Sequence, residues 1–366
     1  MPNVTMPEIP WDVVVATLEC VFNYTTGTDH FNTMMSCSLV CKEWTRAAQR
    51  ILFRSVRGQG CRSTFEDLWR RPFIRTITDN PLLGTYVRSI SDIHIVSDEF
   101  VETYPEYITS ESQFVFILAS CPNLVELEVN FRQDELSPSL LSRLSEVGQH
   151  ITSLRSVAYG AGSSAIYQVF DIWPIRSLHI RGGITVRPPS HRPPFTLERL
   201  VLEDTSNLCE AVLQWFLPQD HQPSNLSLAM SYPYESFSGA YNNMFSAYAP
   251  HIRTLSLVCL GTDTPPLDAC EALSRLTLRS GHKAAFVLPP SIQHLCFYPM
   301  EDGYKPMHQI LAAVTKSLPH LTTVSVNEHV TPYNQSSLKD VCDQRGVGFL
   351  VSAEPEWPST IDLTIK

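Results

Sequence analysis

The chain has 366 residues, 27 Lys plus Arg against 37 Asp plus Glu, and a formal net charge of −10. That balance argues against a nucleic-acid binder held by a broad basic surface. With 43% hydrophobic residues the chain can bury a full core, and its length suits two or three domains. No run of 18 apolar residues exists, so no membrane-spanning helix is expected.

The start, MPNVTMPEIPWD, has neither a basic n-region nor an apolar h-region, so no secretory signal is expected. Ten cysteines are scattered without a C-x-x-C pair, several inside apolar runs. Buried free thiols in a reducing cytoplasm or nucleus are the expectation, with no metal site and no cofactor. The sequons at Asn3, Asn23, Asn225 and Asn334 are then chance matches.

Residues 8–57 read as three short helices. Pro10 suits a helix start, and Asp12 in the first turn suits the positive end of the dipole. The segment Thr25 to Asp29 supplies a break, and the connection is expected to run from Asn23 to His30. A second apolar stretch runs from Phe31 to Leu39, and Ala47, Ala48, Ile51, Leu52 and Phe53 then recur at helical spacing. Residues 58–86 form a helical connector.

From about residue 87 to 366 the motif apolar-x-x-apolar-x-apolar keeps returning. Copies are Ile90-x-x-Ile93-x-Ile95, Leu124-x-x-Leu127-x-Val129, Leu154-x-x-Val157-x-Tyr159 and Ile175-x-x-Leu178-x-Ile180. Leu197-x-x-Leu200-x-Leu202, a partial Leu226-x-Leu228, Ile252-x-x-Leu255-x-Leu257 and Leu273-x-x-Leu276-x-Leu278 follow. Ile292-x-x-Leu295-x-Phe297 and Leu321-x-x-Val324-x-Val326 close the series. The spacing, mostly twenty to thirty residues, is that of leucine-rich repeats. The last two apolar positions alternate on one face of a short strand, and one unit cannot cover that face, so units must stack. The predicted fold class is α/β: a small three-helix segment, then an irregular solenoid with a curved parallel sheet. An ordinary α/β sheet is the competing reading. Proline-rich interruptions at Arg187 to Phe195, Pro218 to Pro223 and Thr264 to Leu267 are expected as rim loops.

Taken together, the two regions resemble the F-box family in its fungal form, with a degenerate leucine-rich repeat region. The resemblance rests on Glu8-Ile9-Pro10-Trp11-Asp12-Val13, on Cys37-Ser38-Leu39-Val40-Cys41-Lys42-Glu43-Trp44, and on the exit Leu52-Phe53-Arg54-Ser55-Val56. It implies the substrate-recognition subunit of an SCF-type cullin-RING ubiquitin ligase. The F-box would dock on a Skp-family adaptor, and through it cullin, while the repeats hold a protein substrate. Adaptor contacts carried over are Ile9, Pro10, Val13, Leu18, Val21, Leu39, Val40, Cys41 and Trp44. Trp11, Asp12 and Thr17 depart from the family's usual residues.

Strand residues alternating with the core would line a substrate surface: Glu126, Glu128, His179, Arg181, Arg199, Arg275, Arg279, His294 and Tyr298. The early ones are acidic and the later ones basic, which would orient a bipolar partner. No Gly-x-Ser-x-Gly, His-Glu-x-x-His or Gly-Lys-Ser/Thr phosphate loop occurs, so no catalytic residue is assigned. Gly160 to Ser164 reads as a turn, and Ser336-x-x-Lys339 lacks companion motifs. Two other readings stand beside the receptor: an interaction scaffold capped by the helical segment, and a hydrolase with a non-standard triad. Nucleic acid and membranes are not expected partners.

Overall fold

In a computed structural model, residues 10–24, 28–40, 42–57, 70–96, 109–131, 135–158, 164–182, 184, 186–203, 210–217, 226–232, 245–259, 266–280, 287–299, 318–327, 330 and 332–352 are described. The chain is α/β, with a long parallel sheet, and forms two compact units, Met1–Ser153 and Leu154–Lys366. The division falls inside the predicted repeat region. None of the described helices is long and apolar enough to cross a membrane.

The first unit opens with three helices, α1 (Trp11–Tyr24), α2 (Thr28–Ser38) and α3 (Lys42–Leu52). The Pro10 carbonyl accepts the amides of Val13 and Val14, so the proline sits where its missing N–H costs nothing. Val14 and Leu18, four residues apart on α1, meet Met34 of α2 and Ala47, Ala48 and Ile51 of α3 in one buried cluster. Only 25–27 separate α1 from α2, so the first connection is shorter than the predicted 23–30.

Strand β1 (Ser55–Arg57) follows α3 directly. In the predicted connector lie α4 (Arg70–Asp79) and α5 (Pro81–Gly84). Next come β2 (Ser89–Val96), β3 (Thr109–Ser110), α6 (Glu111–Ser120), β4 (Glu126–Phe131) and α7 (Pro138–Val147). Strands β1, β2 and β4 lie side by side in that order, with β3 against β2, all parallel. Helix α6 starts in a capping box, Ser110 accepting from the Gln113 amide while the Gln113 side chain accepts the Ser110 amide.

Gly84 is present for space. A Cβ there would stand 2.1 Å from the Ser120 carbonyl oxygen, a backbone atom that cannot swing aside. Gly84→Ala should therefore destabilise by about 1–3 kcal/mol or more through overpacking. Chemical denaturation measures it, and an unchanged midpoint would refute this packing.

The second unit begins at the second residue of β5 (Ser153–Ala158) and contains α8 (Ala165–Ile172), β6 (Ser177–Gly182), β7 (Arg199–Glu203), α9 (Glu210–Phe216) and β8 (Leu226–Tyr232). It continues with β9 (Ile252–Cys259), β10 (Arg275–Ser280), β11 (His294–Pro299), β12 (Thr323–Asn327), α10 (Pro332–Arg345) and β13 (Gly348–Ser352). Strands β5 to β13 lie in chain order. Buried Leu178, Leu200, Leu228, Leu255, Leu276, Leu295 and Val324 stand in register on one face.

The turns before the strands share one hydrogen-bond pattern. A single carbonyl accepts two successive amides: Arg54 from Arg88 and Ser89, Arg88 from Val125 and Glu126, and Val125 from Thr152 and Ser153. In the second unit, Arg176 accepts from Glu198 and Arg199, Ser274 from Gln293 and His294, and Gln293 from Thr322 and Thr323. The sequence motif thus corresponds to a repeated backbone device.

Backbone pairing corrects the phase of three copies. In β2, Ile90 stands opposite Leu127, and a bulge follows before Ile93 meets Val129, so this copy starts at buried Val87. In β8 the central residue is Leu228, opposite Leu255, and Leu226 faces Ile252 across a register shift. The weak copy in β5 is Ile151-x-x-Leu154, three residues earlier than the predicted Leu154-x-x-Val157, with both residues buried. Bulges add a residue that a fixed-spacing pattern misses. Strand β13, with Phe349 beside Val324, was not among the predicted copies.

Candidate functional site

The predicted contact residues fall mainly on two surfaces, each described within one unit. The first is the N-terminal helical segment. The final turn of α2 closes through Leu39 and Val40, whose amides donate to Ser36 and Cys37 carbonyls at 3.1 Å. The chain then enters α3, with the Thr45 hydroxyl donating to the Ser38 carbonyl. This tight turn throws Leu39 and Val40 off the bundle core, and they are 85% and 64% exposed. Trp11, Val13 and Met35 are exposed as well, so five large apolar side chains face outward among the described residues of 11–40.

The structure sorts the predicted adaptor contacts. Pro10, Val13, Leu39 and Val40 are exposed. Trp44 is half-buried and packs against the cluster of Val14 and Leu18. Leu18 is corrected: it is wholly buried in that cluster and has no surface to offer a partner. The helix turns its 14/18 stripe inward, so its neighbour Val13 faces out. Ile9 and Cys41 lie outside the described residues, as does the side chain of Val21.

The second surface is the face of the sheet opposite the leucine rows in the second unit. At its centre Glu203 of β7 gathers one histidine and two arginines. His179 Nε2 stands 2.9 Å from its Oε2, Arg155 3.8 Å and Arg181 3.7 Å from the carboxylate. Register explains the meeting: Arg181 lies directly opposite Glu203, and His179 opposite Val201 one step away. A carboxylate only accepts, so His179 Nε2 carries the proton in this pair.

Electrostatics agree with that tautomer. Burial, the largest influence, pushes His179 below its ordinary pKa and outweighs its hydrogen bond to Glu203, so the imidazole is neutral. Burial alone would raise Glu203, but the hydrogen bond from His179 and the surrounding positive charges hold it below the usual carboxylate range. His150 and His294 are also lowered, mainly by burial.

Linkage then gives a pH dependence with one sign. An unfolded-state histidine takes up a proton below about pH 6.5, whereas folded His179 resists it, so stability is lost as pH falls through that region. Glu203 stays ionised in the fold to lower pH than in the unfolded chain, so a second loss begins below about 4.5. Denaturant melts from pH 8 to 4 should show both limbs, and His179→Gln should reduce the upper one without erasing the share of His150 and His294. A flat profile from pH 7 to 5 would contradict the buried neutral imidazole.

The remaining predicted substrate residues separate. Glu126 and Glu128 are half-buried on β4 in the first unit. On β10, Arg275 is exposed and stands opposite half-buried His294, whose pKa its charge further depresses. His294 Nδ1 lies 2.6 Å from the Thr323 hydroxyl. Arg181, Arg199 and Arg279 are half-buried. Two expectations are corrected: His179 is only 9% exposed and Tyr298 only 5%, so neither is an open contact residue. Val201, Ala229, Ser256 and Val258, also on this face, are buried too. Alternation along a strand assigns a face but not its exposure.

No protein-family model matches the chain, and no curated protein aligns with it. Arg155, missing from the predicted surface, was legible in principle. With the weak copy shifted to Ile151-x-x-Leu154, Arg155 falls one place after the central residue, as His179 does after Leu178. Among the described residues, no three His, Cys, Asp or Glu side chains cluster to hold a metal. Burial pushes the Cys121 and Cys270 thiols up to about 12, so both are inert packing groups.

Proposed function

We propose that this chain is the substrate-recognition subunit of an SCF-type cullin-RING ubiquitin ligase. The helical segment, an F-box in this reading, docks on a Skp-family adaptor and through it cullin. The repeat region is an irregular leucine-rich solenoid with a curved sheet that holds a protein substrate. The observation that carries the reading is the outward Leu39–Val40 turn. Two large aliphatic side chains left in water beside a complete small core are otherwise a solubility cost, and a partner removes it. A bundle of about 50 residues is also near the limit of independent stability, which favours a permanent companion.

In this role the chain needs no catalytic group. It holds a substrate lysine near a charged conjugating enzyme, and the rate gain is one of proximity. The Glu203 network stiffens the centre of the substrate face, while exposed Arg275 and half-buried Arg199 and Arg279 are the contact candidates. The test is co-expression with a Skp-family adaptor followed by size-exclusion chromatography. A stoichiometric complex supports the receptor. A folded chain that elutes alone would overturn it and leave the scaffold reading.

A further inference from the structure

The stretch between β6 and β7 contains the tandem Arg187-Pro188-Pro189 and Arg192-Pro193-Pro194, five residues apart, joined by Ser190 and His191. Residues 186–198 have no helix or strand. Proline fixes its own φ and forces the residue before it into the extended or polyproline region. Arg187, Pro188, Arg192 and Pro193 each precede a proline, so both triplets are biased towards short extended pieces.

The segment is tied to the body at its start and middle. Tyr167 of α8 donates its hydroxyl to the Val186 carbonyl at 2.9 Å, and Trp215 of α9 donates Nε1–H to the His191 carbonyl at 2.7 Å. His191 Nε2 lies 2.8 and 2.9 Å from the two oxygens of Asp171, and its ring stands edge-on to Trp215. Beneath the strap, Tyr167, Phe170, Trp215 and Phe216 form one interlocked aromatic cluster. Arg187, Ser190, Arg192 and Pro194 are exposed, while Pro188, Pro189 and Pro193 are half-buried. No Asp or Glu occurs from residue 184 to 197, so the strap is a positive segment on a chain of net charge −10.

We propose that this strap is a docking epitope for a proline-recognising domain whose groove is lined by aromatic rings and edged by carboxylates. Rings pack on the flat proline faces, and carboxylates pair with Arg187 and Arg192. The ordering cost that a free proline-rich peptide pays on binding is already met by the two ties. The proposal does not rest on the receptor reading and goes beyond it.

The test uses the full chain against an array of purified SH3 and WW domains. At least one domain should bind saturably, and its affinity should fall about tenfold or more both in the R187E/R192E variant and in P189A/P194A. Asp171→Asn keeps the motif but loosens the tie, and should weaken binding several-fold. A groove-tryptophan variant of the captured domain, which leaves this chain untouched, should lose binding entirely. Absence of any binding domain, or binding that all these changes leave intact, overturns the proposal. Affinity unchanged by Asp171→Asn overturns the tied strap as the recognised form. Adaptor co-purification is scored in parallel, so failure of either idea is seen separately.

Discussion

Replacing Leu39 and Val40 together with aspartate is expected to abolish stoichiometric capture of a Skp-family adaptor while leaving the fold intact. Both side chains point away from the bundle cluster, so their loss opens no cavity. Burying one such aliphatic side chain at an interface is worth about 1.5–3 kcal/mol. Two of them, with charges introduced into an apolar contact, should weaken binding by roughly 100-fold or more. Surface substitutions away from packed features usually change stability by within about 0.5 kcal/mol, so the melting midpoint should hardly move. Capture retained at wild-type strength by the double variant would remove the Leu39–Val40 turn from the interface.

Leu18→Ala should do the opposite. Leu18 is wholly enclosed by Val14, Met34, Ala47, Ala48 and Ile51. Deleting a buried leucine costs about 2–5 kcal/mol, set by how far the surroundings collapse into the cavity. So small a core has few other large side chains to share the loss, and the upper part of that range is expected. Denaturant unfolding of the chain, followed by tryptophan fluorescence to which Trp11 and Trp44 contribute, measures it. Excess adaptor should restore part of the loss if binding and folding of the helices are linked. A variant with wild-type stability that nevertheless fails to bind adaptor would return Leu18 to the contact surface.

The contrast between these residues shows what one-dimensional reading can and cannot separate. Both were assigned to the same partner surface from the resemblance of the segment. Helical periodicity locates a stripe, but the choice between Val13 and Val14 as its inward edge depends on which helices cover it. Likewise Leu39 and Val40 read as the end of an apolar helix. Their exposure follows from the turn that closes α2 before α3 begins.

Alone, the sequence determined the three helices at the start, the succession of short strands and most of the core. These follow from local rules: helical spacing of apolar residues, alternation in strands and a motif that one unit cannot bury unaided. Only the tertiary structure decided the register of Ile90, Leu154 and Leu228, because bulges and shifted turns break fixed spacing while hydrogen bonds to the neighbouring turn restore it. It also brought Arg155, His179 and Arg181 to one carboxylate and closed His179 and Tyr298 away from solvent. Those outcomes depend on residues more than twenty positions apart meeting across strands, and no window along the chain contains both partners.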